Sequence, residues 1–167
     1  MEARPKLKIE LNRVDNILEL LCLTLLILLW VGAIGFFSKL PDQIPSHYNT
    51  SGEPNDFSQK AFIFVPVMLA TVINFGMTLL NKYPHIYNYS ATVTLQNARQ
   101  LYTAATKLIR VLKLAVVVIF SGIVFMTYKI SLTKGEGLGT WFLPFALGLI
   151  ISPTVFYLFK TFNLRRV

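Results

Sequence analysis

Hydrophobic and polar positions divide this chain into four long apolar runs joined by polar connections of unequal length. Residues 17–37 (ILELLCLTLLILLWVGAIGFF) contain one acid and no other charge. As a helix they would reach about 31 Å at roughly 1.5 Å per residue. Residues 61–80 (AFIFVPVMLATVINFGMTLL) and 141–160 (WFLPFALGLIISPTVFYLFK) have the same character, and a further run at 110–130 is built around LAVVVIFSGIVFMTY. A spanning helix needs about 20 predominantly apolar residues. The pattern therefore predicts an all-α integral membrane protein with four transmembrane helices in a single domain, residues 1–167. The first run exceeds the apolar core of a signal peptide and is followed by no small-residue cleavage site, so it reads as a retained anchor.

The connections differ in kind. Residues 81–109 open with NKYPHIYNYS, whose tyrosines suit an interfacial anchoring belt better than they suit catalysis by His85. From residue 91 onward Ala98, Leu101, Tyr102, Ala105, Leu108, Ile109 and Leu112 recur at three- and four-residue steps, the mark of an amphipathic helix. It is expected to run unbroken into the third span, with Arg99, Arg110 and Lys113 as structural cations. Asp15 and Glu19, one helical turn apart at the base of the first helix, are the expected partners of Arg110 or Lys113. Residues 129–140 (KISLTKGEGLGT) read as a flexible tether, because their glycines lack the ending and context of a phosphate loop.

Composition sharpens the membrane assignment. The chain is 54% hydrophobic and 14% charged, against about 25% charged for a soluble domain. Charge also suggests an orientation. Arg4, Lys6, Lys8, Arg13, Lys82, Arg99, Lys107, Arg110, Lys113, Lys160, Arg165 and Arg166 fall on one side, leaving Lys39, Lys60, Lys129 and Lys134 on the other. The positive-inside rule then expects both termini in the cytoplasm of a bacterial cytoplasmic membrane. The net charge of +8 follows from anchoring at lipid headgroups and calls for no nucleic acid. The lone Cys22 allows no internal disulfide. Polar residues within the runs, Thr71, Asn74, Thr78 and Ser152, fit interhelical hydrogen bonding, and Pro66 and Pro153 fit tolerated kinks. The runs show no buried acid, histidine chain or arginine ladder, so a transporter or channel has the least support.

The loop at 38–60 carries the candidate chemistry, within LPDQIPSHYNTSGEPNDFSQK. Pro41 and Pro45 stiffen its start and push their preceding residues to extended backbone. In IPSHYN, alternation would send Pro45, His47 and Asn49 one way and Ile44, Ser46 and Tyr48 the other. TSGEPND is dense in turn formers, so the chain can double back and carry Asp56 or Lys60 toward His47 and Asp42. Such a loop lacks a core of its own and must rest on the bundle or on the membrane surface, as an ordered extracytoplasmic cap. The candidate ligand-binding set is Asp42, His47, Asn49, Gly52, Asp56 and Lys60. Asp42, His47 and Asp56 are weak metal candidates, since their spacing matches no established zinc pattern. Asn49-Thr50-Ser51 also fits a glycosylation sequon. No cofactor is named by the sequence.

Taken together, Pro41, Asp42, Ile44, Pro45, His47, Tyr48, Asn49, Gly52 and Lys60 resemble the signature of a bacterial family with a domain of unknown function. That domain also forms the N-terminal membrane part of SdpI-type immunity proteins. NARQLYTAATKLIRVLKL is similar to the family's cytoplasmic helix, with Arg99, Tyr102, Leu112 and Lys113 in matching places. Asn55-Asp56-Phe57-Ser58 departs from the family's acid–Gly–aromatic–Gly run. The resemblance implies a membrane protein whose outer loop recognises a peptide, a lipid headgroup or a membrane partner, in immunity or sensing, with oligomerisation open. The competing expectation is an outer-leaflet enzyme, with or without metal, using His47 and Asp42 on a lipid-linked substrate.

Overall fold

The computed structural model describes residues 4–89, 91–133 and 135–163. Of the residues used above, Ser90, Lys134, Arg165 and Arg166 lie outside the described residues. The protein is mostly helical, with four helices long and apolar enough to span a membrane. Helix α1 (Arg13–Phe37) begins at a capping box, in which the Asn12 side chain accepts from the Asp15 amide and the Asp15 carboxylate accepts from Asn12. That exchange satisfies two of the amides a helix start leaves unpaired. After α1 come two antiparallel strands, β1 (Gln43–Tyr48) and β2 (Pro54–Gln59). A 3-10 turn (Lys60–Ile63) then leads into helix α2 (Phe64–Leu80). Pro66 lies in the first turn of α2, where its missing N–H breaks no bond.

Helix α3 (Ala98–Thr133) is 36 residues long, about 54 Å, and packs against α1, α2 and α4 (Phe142–Asn163). It starts at Ala98 and not at residue 91. Thr94 and Asn97 bond each other's amides through their side chains at 2.8 and 3.4 Å, which caps the helix there. Pro153 sits inside α4, and the hydroxyls of Ser152 and Thr154 bond back to the carbonyls of Gly148 and Ile150 at 2.7 Å each.

On α1 only Asp15, Cys22, Leu29 and Ala33 are buried, a single stripe facing the bundle. Leucines and isoleucines such as Leu20, Leu23, Ile27 and Val31 stay exposed. Apolar side chains directed outward are what a helix in lipid requires. The main core joins Leu29 and Ala33 of α1, Val67 and Ala70 of α2 and Val124 of α3 with Leu40, Ile44 and Ile63. The connection between α1 and α2 therefore shares the core of the spans. The all-helical expectation holds for the spans and gives way at residues 43–59, where the proline-pinned segment and the Gly52 turn make a hairpin.

Candidate functional site

The hairpin tip is organised by Asn49. Its side-chain carbonyl accepts from the amides of Ser51 and Glu53, and its amide nitrogen donates to Glu53 Oε2, all at 2.9 Å. Gly52 completes the bend with φ +81, a left-handed conformation that glycine adopts freely. Extra residues on both strands, Ser46 on β1 and Asn55 on β2, interrupt the pairing. Such bulges re-aim side chains. Consequently Pro45, expected on the same side as His47 and Asn49, is buried, while His47 and Asn49 are exposed. Tyr48 turns inward and shares a 2.7 Å hydrogen bond with Thr127 of α3. Burial pushes the Tyr48 hydroxyl up, against a smaller opposing effect of that bond, so it is neutral near pH 7.

The segment expected to be a flexible tether closes over this tip. Helix α3 runs to Thr133, and beyond it the Leu138 amide donates to the Gly52 carbonyl at 2.7 Å while the Leu138 side chain is buried. Gly137, at φ +138, lies so close to the Gly52 carbonyl that a β-carbon would collide with it. Two glycines on facing turns make the close approach.

Beneath this roof lies a cavity of about 390 Å³. Its walls are Phe62, Val65, Pro66 and Leu69 beside α2, Phe120, Ile123 and Thr127 of α3, and Phe142 and Leu143 of α4, with Ile44 to Asn49 above. Sites for small molecules have volumes of roughly 300–1,000 Å³ and mostly apolar walls. Helices α2 and α4 both line the cavity and each packs on α3 without a substantial interface of their own, which leaves a gap between them beside it.

The six candidate residues do not form one site. Lys60 Nζ pairs with Asp42 Oδ1 at 3.1 Å and sits 5.7 Å from the Phe37 ring centroid. His47 pairs in register with Asp56, and its Nδ1 lies 2.6 Å from Asn55 Oδ1. Asp56 accepts from the Phe57 amide. Asn49 and Gly52 are committed to the turn. Asp42 and His47 stand five steps apart along extended chain, up to roughly 16 Å at about 3.3 Å each. Among the described residues no three His, Cys, Asp or Glu side chains come together as a metal would require. The candidate metal set Asp42, His47 and Asp56 is thus not assembled.

Residues 23–71 match a family described as a domain of unknown function, DUF1648. That segment takes in most of α1, the whole hairpin and the start of α2, which is the cavity roof and one of its walls. The chain is also similar to an uncharacterised protein of the archaeon Archaeoglobus fulgidus, 29% identical over 72 residues. The alignment covers 38% of this chain and 39% of the relative, well under half the length of either. No solved structure matches the chain.

At the opposite end of the bundle the expected acid–base pairing is present. Lys113 Nζ lies 2.6 Å from Glu19 Oε2 and 2.7 Å from Thr78 Oγ1, and Arg110 Nε lies 3.2 Å from Glu19 Oε1. Asp15 is approached by Arg110 at 3.8 Å and Lys107 at 4.0 Å. The side chains of Asp15 and Lys113 are only 3% and 2% exposed. Asp15, just before the first apolar run, is a buried acid, enclosed at the helix start by neighbouring helices. Arg99 is exposed in the first turn of α3, so Arg110 and Lys113 make the interhelical contacts. The tyrosines of the 81–97 connection form a floor more than a belt. Tyr89 packs on the buried Tyr102 with ring centroids 5.5 Å apart, and Arg4 donates to the carbonyls of His85 and Tyr87. Burial raises Tyr87 to about 12, with nearby Arg110 pulling the other way.

Sequence reasoning missed the cavity walls on α3 and α4. Phe120, Ile123 and Phe142 look like any lipid-facing residue in an apolar run. The available signal was the hairpin's inward set, Ile44, Ser46 and Tyr48, which had to face something.

Proposed function

We propose that this multi-pass membrane protein has both termini in the cytoplasm and holds the apolar part of an amphiphile under an extracytoplasmic hairpin. The orientation is supported by the crowding of Lys and Arg at the end of the bundle away from the hairpin. The observation that carries the function is the apolar cavity, roofed by β1 and bordered by the gap between α2 and α4. A ligand reaching it through that gap arrives from the bilayer, keeps its hydrocarbon in the cavity and leaves its polar part beside His47 at the rim. Asp42, Asn49, Gly52, Asp56 and Lys60 then serve to fix the hairpin's shape, and His47, whose Nδ1 meets Asn55, is the exposed member of the set beside the cavity that turns its remaining ring edge to a ligand's polar part. Their separation gives little support to an enzyme built on Asp42 and His47. The likeness to SdpI-type immunity proteins makes an amphipathic toxin peptide one occupant worth testing, in a bacterial or an archaeal cytoplasmic membrane.

Native mass spectrometry of protein released from membranes tests this directly. Wild-type protein should retain an amphiphile that Leu69→Trp, which fills the cavity mouth, does not retain. Identical adducts on both proteins would reject the cavity as the binding site. Labelling of Thr50→Cys in intact cells by a membrane-impermeant maleimide should succeed, and labelling only after lysis would overturn the orientation.

A further inference from the structure

After Pro54, strand β2 carries one large apolar side chain, Phe57, and it is 55% exposed. A single exposed apolar residue on a watery surface is ordinary, but Phe57 does not stand alone. It lines one shallow groove with Ala61, Phe62 and Val65. Phe62, Val65, Leu69 and Val72 follow at three- and four-residue steps, which places them on one face, and Leu69 and Val72 are exposed on a helix apolar enough to span a membrane. The hairpin also sits low on the bundle. Ile44 joins the core that contains Val124, and Tyr48 bonds Thr127. Val124 and Thr127 are about 4.5 Å apart along α3, whereas Ile44 and Tyr48 span up to roughly 13 Å of extended chain. Strand β1 thus crosses α3 and does not climb it, about 9 Å short of the helix end at Thr133. At the same height Phe142 packs on Ile123 and Met126, and its neighbour Trp141 is exposed, as tryptophans are where headgroups meet acyl chains.

We infer that the Phe57 ring is inserted into the leaflet at the hairpin end, at the boundary between headgroups and acyl chains, so that β2 anchors the hairpin to lipid while β1 rests on α3. The groove that holds Phe57 continues into the lipid-facing side of α2, so the surface that covers Phe62 and Leu69 covers Phe57 as well, without a second protein. The polar groups around it suit that depth. Gln43 and Gln59, paired across the base of the hairpin, line the same groove and offer their amides to headgroups. Lys60 holds its ammonium beside Asp42 and the Phe37 ring, a cation placed where an apolar stem meets a polar layer. Because side chains alternate along a strand, Asp56 falls on the other face of β2 and stays in water. The anchor serves an empty cavity as well as a filled one.

The test places a nitroxide on Phe57→Cys, Asp56→Cys or Val72→Cys of the full chain, reconstituted in phosphatidylglycerol–phosphatidylcholine nanodiscs. Cys22 is buried in the bundle, so labelled wild type gives the blank. Oxygen concentrates in hydrocarbon and a nickel chelate stays in water. The label at Phe57 should therefore relax more strongly with oxygen, as at Val72, and the label at Asp56 more strongly with nickel. A Phe57 label that follows Asp56 overturns the inference. One shielded from both reagents overturns it too, because protein and not lipid would then cover the ring. A second readout needs no label. Phe57→Ser should speed hydrogen exchange at the paired amides of β1 and β2 roughly tenfold or more, the equilibrium weight of moving one phenylalanine from hydrocarbon to water, and Phe57→Leu should restore most of the protection. Unchanged protection in Phe57→Ser would show that the ring does not anchor the hairpin.

Discussion

The two ends of the bundle enclose polar groups by opposite means. At one end five ionisable side chains from α1 and α3 meet within 2.6–4.0 Å, with Thr78 of α2 closing the cluster. At the other end the hairpin is fixed by backbone bonds, the Asn49 side chain and glycine turns, with its one ion pair among the described residues exposed to solvent, and the space beneath it is lined by apolar side chains. Charges enclosed together resist separation, because parting them strands an ion in a poor solvent. The charged end therefore clamps α1 to α3. Among the described residues the hairpin end has no comparable clamp between α2 and α4, which suits the proposed entry of a ligand there.

The largest predicted effect comes from breaking the clamp. Lys113→Met removes the partner that is best buried and leaves Glu19 facing Arg110 alone. Loss of one member of a buried pair costs about 3–5 kcal/mol, and the lower value is expected because the Glu19 side chain remains 32% exposed. Thermal unfolding in detergent should show a clear drop in melting temperature, most of which returns in Lys113→Met combined with Glu19→Gln. An unchanged melting temperature in the single variant would mean the cluster is solvated and the contrast between the ends is false.

How far the sequence reveals this contrast depends on which physical signal each part carries. The spans are plain from apolar length, and the clamp was legible because Asp15 and Glu19 share a helix face and Arg110 and Lys113 need partners at a membrane boundary. The doubling back of the loop followed from Pro45 and Gly52. Its register did not, since the bulges at Ser46 and Asn55 depend on contacts with α3 that no local pattern encodes. For the same reason Leu138 read as part of a tether. Its partner, the Gly52 carbonyl, is remote in sequence, and backbone pairing leaves no trace in side-chain type. The cavity was invisible because a wall residue and a lipid-facing residue are both simply apolar.

A middle-sized effect should separate the hairpin's roof from its clasp. Gly137→Ala places a β-carbon against the Gly52 carbonyl at a φ of +138 that L residues rarely adopt. Strain of this kind is worth on the order of 1–3 kcal/mol, and the chain can relieve it by releasing the Leu138–Gly52 bond. Hydrogen exchange at the Leu138 amide should accelerate roughly tenfold or more, with the amides of α1 unchanged. Equal protection in variant and wild type would show that the tip is held by the hairpin alone and that the segment after α3 only rests on it.

The smallest effect tests whether charge matters at all at the hairpin end. Asp42 and Lys60 form that end's ion pair among the described residues, and the Asp42 side chain is 95% exposed. Pairs so placed contribute roughly 0–1 kcal/mol, and the lower part of that range applies here because water screens Asp42 almost completely. Asp42→Asn should leave the melting temperature within a degree or two and should not alter retention of the cavity's ligand. The backbone already closes the base of the hairpin, where the Lys60 amide donates to the Asp42 carbonyl at 2.9 Å whatever side chain residue 42 carries. A large loss of ligand retention in Asp42→Asn, without a loss of stability, would instead put the carboxylate in contact with the ligand.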